Sequence, residues 1–173
     1  SPDLYVYYDQ KGTKTTFFGG NTASNKADWQ IWKIEDAAGN FAFVGDASTA
    51  STAVTNGYDA GGRITTAYDT IDRRYTYTYT TIDSKARLTQ VVAETRSGAN
   101  WGSPGTVTEV GKVDYTYYSF AGGQTYGNAG SLQKVTITTP LSDSGISQVR
   151  TKLYRYWVGT FNAVTNPGHP FTI

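Results

Sequence analysis

Alternation of aromatic and hydroxyl side chains over short runs is the feature that most restricts how this chain can fold. Tyr75–Thr80 alternates tyrosine and threonine throughout, and Val113–Tyr117 repeats the pattern. Successive side chains of a β-strand point to opposite faces, so each run would have a ring face and a hydroxyl face. No segment has a sustained 3.6-residue helical period. We therefore expect an all-β fold with no significant helix.

Further runs of similar length and composition extend this prediction along the chain. The other predicted strands are Leu4–Tyr8, Lys14–Phe18, Trp29–Ile34, Asn40–Val44, Arg63–Ala67, Arg87–Ala93, Gln133–Thr138 and Lys152–Val158. Glycines, which number 19, separate the runs together with Asn and Asp. Regular turn signals between short strands favour an antiparallel hairpin strip. We predict about ten to twelve strands in one domain covering residues 1–173, either a twisted sheet or part of a β-shell.

The stretch around two of the tryptophans breaks the alternation. Trp29 and Ile31 would lie on one face of a strand, whereas Trp32 and Ile34 would lie on the other. Two explanations are open: the strand is buried on both sides, or a β-bulge changes the phase within it.

A turn motif recurs along the chain. Tyr8-Asp9-Gln10-Lys11-Gly12 and Tyr58-Asp59-Ala60-Gly61-Gly62 share the pattern Tyr-Asp-x-x-Gly. An Asp that opens a type I turn accepts a backbone hydrogen bond from two residues on, and the Gly supplies the left-handed residue that closes the hairpin. The residues predicted for such turns are Tyr8, Asp9, Gly12, Asp36, Gly39, Tyr58, Asp59, Gly62, Arg63, Asp83, Arg87, Tyr118 and Gly122. Tyr68–Arg73 is a weaker sixth copy.

The repeat resembles the Rhs/YD-repeat family, whose consensus is close to Tyr-Asp-x-x-Gly-Arg-Leu-Thr. Tyr58–Thr65 matches it with Ile64 in place of Leu, and Ile82–Thr89 matches at its Asp, Arg, Leu and Thr. The clearest repeats cover residues 4–125. Members of that family are large secreted or surface proteins whose repeats build a continuous β-strip. The resemblance therefore implies a scaffold at the cell surface or outside the cell.

A strip of this length has two open edges, which favour pairing with another chain. We expect either a fragment or processed piece of a longer protein, or a subunit that polymerises through its edges. The first functional hypothesis is an exported structural protein that forms a filament, sheath or surface layer. The alternatives are a segment of an Rhs-type shell that encapsulates a toxin or mediates cell contact, and a carbohydrate-binding surface module.

Composition argues against several other classes. The chain has no Cys and a net charge of +1, so thiol chemistry and a basic surface for nucleic acid are not expected. No apolar run is long enough to span a membrane. The lone His169 lies between two prolines without a nucleophile motif, and the aspartates fit turns better than catalytic or metal sites. We predict no enzyme activity, no cofactor and no metal.

Aromatic side chains form the predicted contact surface. The residues assigned to an assembly or ligand face are Trp29, Trp32, Tyr75, Tyr77, Tyr79, Trp101, Tyr115, Tyr117 and Trp157. We expect the partners to be other copies of the chain, the rest of a longer chain, or polysaccharide. The arginines that follow the turns, Arg63, Arg73, Arg74 and Arg87, would either form a cation ladder for polyanions or stack on tyrosine rings of neighbouring repeats, and we predict the stacking.

Overall fold

The computed structural model describes residues 4–19, 29–45, 57–71, 73–97, 105–119, 127–141 and 145–156. These residues form one open antiparallel sheet of ten strands, and the part described contains no helix. Strands that are neighbours in the sequence are neighbours in the sheet, so the fold is a simple meander of hairpins. The predicted all-β hairpin strip is therefore confirmed.

The strands are short at the amino-terminal side and long in the middle. They are β1 (Leu4–Tyr8), β2 (Lys14–Phe18), β3 (Ile31–Glu35), β4 (Phe41–Val44), β5 (Thr66–Asp69), β6 (Arg74–Ile82), β7 (Lys85–Arg96), β8 (Val107–Tyr117), β9 (Leu132–Pro140) and β10 (Ser147–Leu153). The bounds of β1 and β2 agree with the sequence prediction. The strand predicted at Arg63–Ala67 instead begins at Thr66, because Arg63 and Ile64 belong to a separate tight hairpin.

A β-bulge explains the irregular pattern around the tryptophans. Thr16 pairs with Lys33, whereas the next residue, Phe17, pairs with Ile31. Trp32 is thus the extra residue on β3, and the face on which its neighbours lie changes there. The prediction of either a two-sided burial or a bulge is resolved in favour of the bulge.

The two faces of the sheet differ in chemistry. On β6–β9, paired residues place Tyr75, Tyr77 and Tyr115 on one face with Val91 and Val113; we call this the tyrosine face. The opposite side, which carries Thr76, Thr78 and Thr80 of β6 and Thr136 and Thr138 of β9, is the threonine face. This matches the predicted division into an aromatic side and a hydroxyl side.

The division into an aromatic and a hydroxyl side is not kept over the shorter strands. Phe43 and Tyr68 are buried, stack at 5.4 Å and lie on the threonine face. Phe18, also buried, packs against Trp32 and Tyr58. At Phe18 the physical reason is local, because the hairpin that carries Tyr58 folds against β3 and the Tyr58 hydroxyl donates to the backbone carbonyl of Ile31.

Candidate functional site

Three of the predicted turns have one geometry. In each, the Asp backbone carbonyl accepts the N–H of the Gly three residues on, at 2.9–3.2 Å for Asp9, Asp36 and Asp59. The carboxylate Oδ1 also accepts two backbone N–H groups, two and four residues on. The glycines have positive φ, 82° at Gly12, 84° at Gly39 and 78° at Gly62. This is a type I turn closed by a left-handed residue, as the motif predicts.

The weak copy at Asp69 makes the same carboxylate bonds. Its Oδ1 accepts the N–H groups of Ile71 and Arg73, and its own N–H donates to the Arg73 carbonyl. This copy is weaker in the sequence because Asp72, which lies outside the described residues, stands where the three turns above have Gly. All four turns have a side-chain donor four residues after the Asp: Thr13, Asn40, Arg63 and Arg73. Arg87 stands at the same distance after Asp83, so this donor alone does not identify the turn.

The predicted turn at Asp83 has a different geometry, so its assignment to the motif was wrong. Ile82 pairs directly with Lys85, leaving Asp83 and Ser84 as a two-residue loop with φ of 52° and 59°. Ala86 occupies the position where the motif needs a left-handed Gly, and a side chain with a Cβ resists that conformation. The loop therefore tightens, and Asp and Ser accept the positive φ angles that such a two-residue turn requires.

The predicted copy at Tyr118 is also wrong. The backbone N–H of Tyr118 donates to Ser131 and its carbonyl accepts the N–H of Gly130. Tyr118 therefore pairs with much later residues, whereas in the motif the Tyr pairs just across the turn, as Tyr8 does with Lys14. Gly122 lies outside the described residues. Tyr118 is instead buried, and its hydroxyl donates to the carbonyl of Tyr154 at 2.8 Å.

Three of the Asp turns lie side by side at one end of the sheet, since they close the hairpins β1–β2, β3–β4 and β5–β6. We call Asp9–Thr13, Asp36–Asn40 and Asp69–Arg73 the turn row. The Thr70 hydroxyl links two of its members by accepting the Phe41 N–H at 2.6 Å and donating to the Phe41 carbonyl. A depression of about 450 Å³ lies between these two turns, lined mainly by apolar atoms. The turn Asp59–Arg63 lies at the opposite end.

Arginines that follow the aspartates lie over tyrosine rings, as predicted. The guanidinium carbon lies 5.2 Å from the ring centre for Arg63 over Tyr79, 5.8 Å for Arg73 over Tyr75 and 6.0 Å for Arg87 over Tyr117. Arg63 and Arg73 also bind the carboxylates of their own turns, at 2.6 and 2.7 Å. Arg63 and Arg73 therefore tie their own turns to tyrosines of β6, and each is balanced by the carboxylate of its turn.

Alanine at Gly39 should destabilise the chain by about 1 kcal/mol, because an L-residue at φ of 84° is strained. The substitution isolates this strain, since nothing lies within 4 Å of an added Cβ there. Gly111→Ala, in β8, is the matched control: its nearest neighbour would be at 3.8 Å, and we expect no loss of stability. The free energies of unfolding in urea would show the difference, and equal values for both variants would contradict the turn assignment.

Hydrogen bonds to the turn carboxylates lower their pKa values. The pKa of Asp9 is lowered chiefly by the Thr13 N–H, that of Asp36 by the Asn40 side chain, and that of Asp59 by the Arg63 N–H. At Asp69 partial burial opposes the change, but the bonds from Arg73 and Tyr75 outweigh it and the pKa is still lowered. The opposite effect is seen at Tyr58, where burial raises the pKa of the phenol to about 12.

Acid should therefore destabilise the fold. A carboxylate with a lowered pKa binds fewer protons in the folded chain than in the unfolded chain. Its contribution to the free energy of unfolding is therefore complete above the unfolded pKa of about 4 and is lost as the pH falls through the folded pKa. We expect the urea midpoint to fall as the pH drops below about 4. The control is Asp59→Asn with Asp69→Asn, which keeps hydrogen-bond acceptors but removes two titrating groups. A slope as steep as the parent's would contradict this account.

The predicted aromatic face is only partly assembled. Trp29 is 61% exposed and packs on Tyr5, with ring centres 4.6 Å apart, while Trp32 packs on Phe18 at 6.2 Å. The remaining described members, Tyr75, Tyr77, Tyr79, Tyr115 and Tyr117, share the tyrosine face of β6 and β8. Burial raises the pKa of Tyr77. Trp101, Trp157 and His169 lie outside the described residues.

The two outermost strands carry much of the exposed apolar surface. Every residue of β1 and every residue of β10 is exposed. The apolar side chains among them include Tyr7, Val149 and Leu153, which are 60%, 59% and 68% exposed. None of these was predicted to belong to the contact face, although unpaired edges were expected. The signal available was position alone, because β1 is the first predicted strand, and β10 overlaps the last one, predicted at Lys152–Val158, only at Lys152 and Leu153.

The structure and the comparisons add few further constraints. In the residues described, no helix is long and apolar enough to cross a membrane, and no three His, Asp or Glu side chains cluster as metal ligands would. No family model, curated protein or solved structure matches the chain.

Proposed function

We propose that this protein is an exported structural subunit that assembles with copies of itself into a filament, sheath or surface layer. The observation that carries the proposal is the pair of exposed outer strands, β1 and β10, at the two sides of an open sheet. An edge strand presents unpaired N–H and C=O groups, and such a row is a template for a strand from another chain.

The thin core supports the same proposal. Of the described side chains, none is less than 2% exposed, and the buried apolar residues are few: Phe18, Phe43, Val44, Tyr68 and Tyr118. A single sheet layer gains little from burial on its own, because each face needs a second layer to cover it. Contact between subunits would remove additional apolar surface from water, at about 25 cal/mol per Å².

A segment of an Rhs-type shell is the second candidate. The turns at Asp9, Asp36 and Asp59 favour it, because the repeated Asp turn with a left-handed closing Gly follows the motif that resembles that family. In that case more of the same β-strip, from a longer chain, would cover the edges. Location at the cell surface or outside the cell is part of both candidates and rests on the same resemblance.

Sedimentation velocity across a range of concentrations, with electron microscopy of the same samples, tests the first proposal. We expect species much larger than the 18.8 kDa chain and regular filaments or sheets. A monomer at every concentration would overturn self-assembly and leave the shell segment as the better explanation.

A further inference from the structure

We infer that the partner of strand β1 is strand β10 of a second copy, paired antiparallel and head to tail, so that each junction continues the sheet. This rests on the proposed function and specifies which surfaces meet. In the meander, odd-numbered strands run one way and even-numbered strands the other, so a new β1 placed beside β10 keeps the alternation. Such a contact joins two different surfaces and therefore repeats without closing, unless its rotation forms a ring.

The backbone of β1 directs alternate residues outward. Phe18, which faces Leu4, donates its N–H to Gln30 and accepts the N–H of Trp29, so its polar groups point toward β3 and away from β1. In an antiparallel pair the direction alternates from residue to residue. Leu4, Val6 and Tyr8 therefore present their N–H and C=O groups to the free edge.

The same argument fixes the phase of β10. Tyr154 donates its N–H inward to Gln133, and Ile146 accepts the N–H of Leu141. The even-numbered residues between them thus point toward β9. The outward residues of this edge are Ser147, Val149, Thr151 and Leu153.

The two edges match in register. Placing Leu4 opposite Leu153 brings Val6 opposite Thr151 and Tyr8 opposite Val149, so all three outward residues of β1 meet outward residues of β10. Three such pairs would exchange six backbone hydrogen bonds, two for each pair. The residues between them, Tyr5 and Tyr7, then lie opposite Lys152 and Arg150.

The side chains of the matched pairs also share a face. Successive register partners on one face lead from Val6 through Thr16, Lys33, Phe43 and Tyr68 to Arg74. Thr76, two residues further along β6, lies on the same face as Arg74. From Thr76, register partners lead through Val92, Lys112 and Thr138 to Val149. Val6 and Val149 are therefore on the threonine face. In a continued sheet, Leu4, Val6 and Tyr8 meet Leu153, Thr151 and Val149 there, while Tyr5 and Tyr7 meet Lys152 and Arg150 on the tyrosine face.

The cations of β10 favour β1 as its partner over a second β10. Strand β1 has no charged residue, whereas β10 carries Arg150 and Lys152 on one face. Cations are attracted to the faces of aromatic rings, and the chain already uses this contact internally, with Lys33 4.5 Å from the Phe41 ring centre. Two β10 edges facing each other would bring four cations together. Shifting the register by two residues toward the start of β10 places Gln148 opposite Tyr7. Only one cation, Arg150, then lies opposite a ring, that of Tyr5.

Charge substitutions at the two edges test the pairing by sedimentation velocity, with circular dichroism to verify folding. Tyr5→Lys with Tyr7→Lys should raise the concentration for half-assembly by at least about ten-fold, because lysines would then face Arg150 and Lys152. Arg150→Glu with Lys152→Glu should also weaken assembly. The variant that combines all four substitutions should recover it, since Lys would face Glu across the junction. Val6→Pro, which removes an outward N–H without touching the β1–β2 ladder, should block assembly.

The outcomes separate this inference from the proposed function. If the parent chain assembles but the four-fold variant stays as defective as the tyrosine variant, β1 does not meet β10, and the head-to-tail pairing is wrong while self-assembly stands. Unimpaired assembly of the Val6→Pro variant would also exclude pairing through β1, without relying on charge. A parent chain that remains monomeric overturns both.

Discussion

Phe18→Ala should destabilise the chain by about 3 kcal/mol, toward the lower end of the range for removing a buried phenylalanine. Phe18 is 4% exposed and lies under Trp32 and Tyr58, so its removal leaves a cavity between β2, the β3 bulge and the hairpin that carries Tyr58. Few other side chains in the described residues are as well buried, which is why this one contributes so much. Urea denaturation followed by tryptophan fluorescence measures the effect.

The matched control is Phe18→Leu, which keeps most of the apolar volume. We expect it to cost less than about 1.5 kcal/mol, as conservative apolar exchanges do. If Phe18→Ala costs no more than Phe18→Leu, then the cluster around Phe18 is not the core of strands β2–β5.

Val91→Pro should have the second large effect and prevent the central strands from forming. Val91 lies in β7, with Tyr77 opposite it on β6 and Val113 on β8. The N–H of a strand with two neighbours donates to one of them, and proline removes that donor. Proline inside a helix costs about 3 kcal/mol or more, and we expect a similar loss of folding free energy inside this strand. Far-UV circular dichroism should show loss of strand signal.

Val6→Pro is the control for this experiment as well. The N–H of Val6 points to the free edge, so the fold should survive there with little change in its free energy of unfolding below the assembly concentration. Similar damage from the two prolines would mean that Val6 donates within the sheet, contrary to the phase derived for β1.

Much of the fold could be predicted because its determinants are local. The Tyr-Thr alternation in β6 fixes which residues share a face, and the Asp59 and Gly62 turn fixes a hairpin through bonds within five residues. Those signals depend only on neighbours along the chain. The length of β7 could not be inferred so well, because its ends are set by where β6 and β8 stop pairing with it.

The errors also have physical causes. The Asp83 turn has the spacing of the motif but not its closing Gly. Ala86 stands at that position, where a side chain with a Cβ resists the left-handed conformation. The burial of Phe43 and Tyr68 on the threonine face could not be inferred from alternation, since it depends on which side of the sheet each neighbouring element packs. The edges were foreseen as a property of the strip, but their register match required the hydrogen-bond phase at Phe18 and Tyr154.

Fibre diffraction from aligned assemblies of the purified chain tests the central claim most directly. If subunits join edge to edge through β1 and β10, strands stack along the assembly, and a reflection near 4.7–4.8 Å should lie along its long axis. That spacing oriented across the axis, or particles that never exceed the 18.8 kDa monomer, would contradict edge-to-edge assembly.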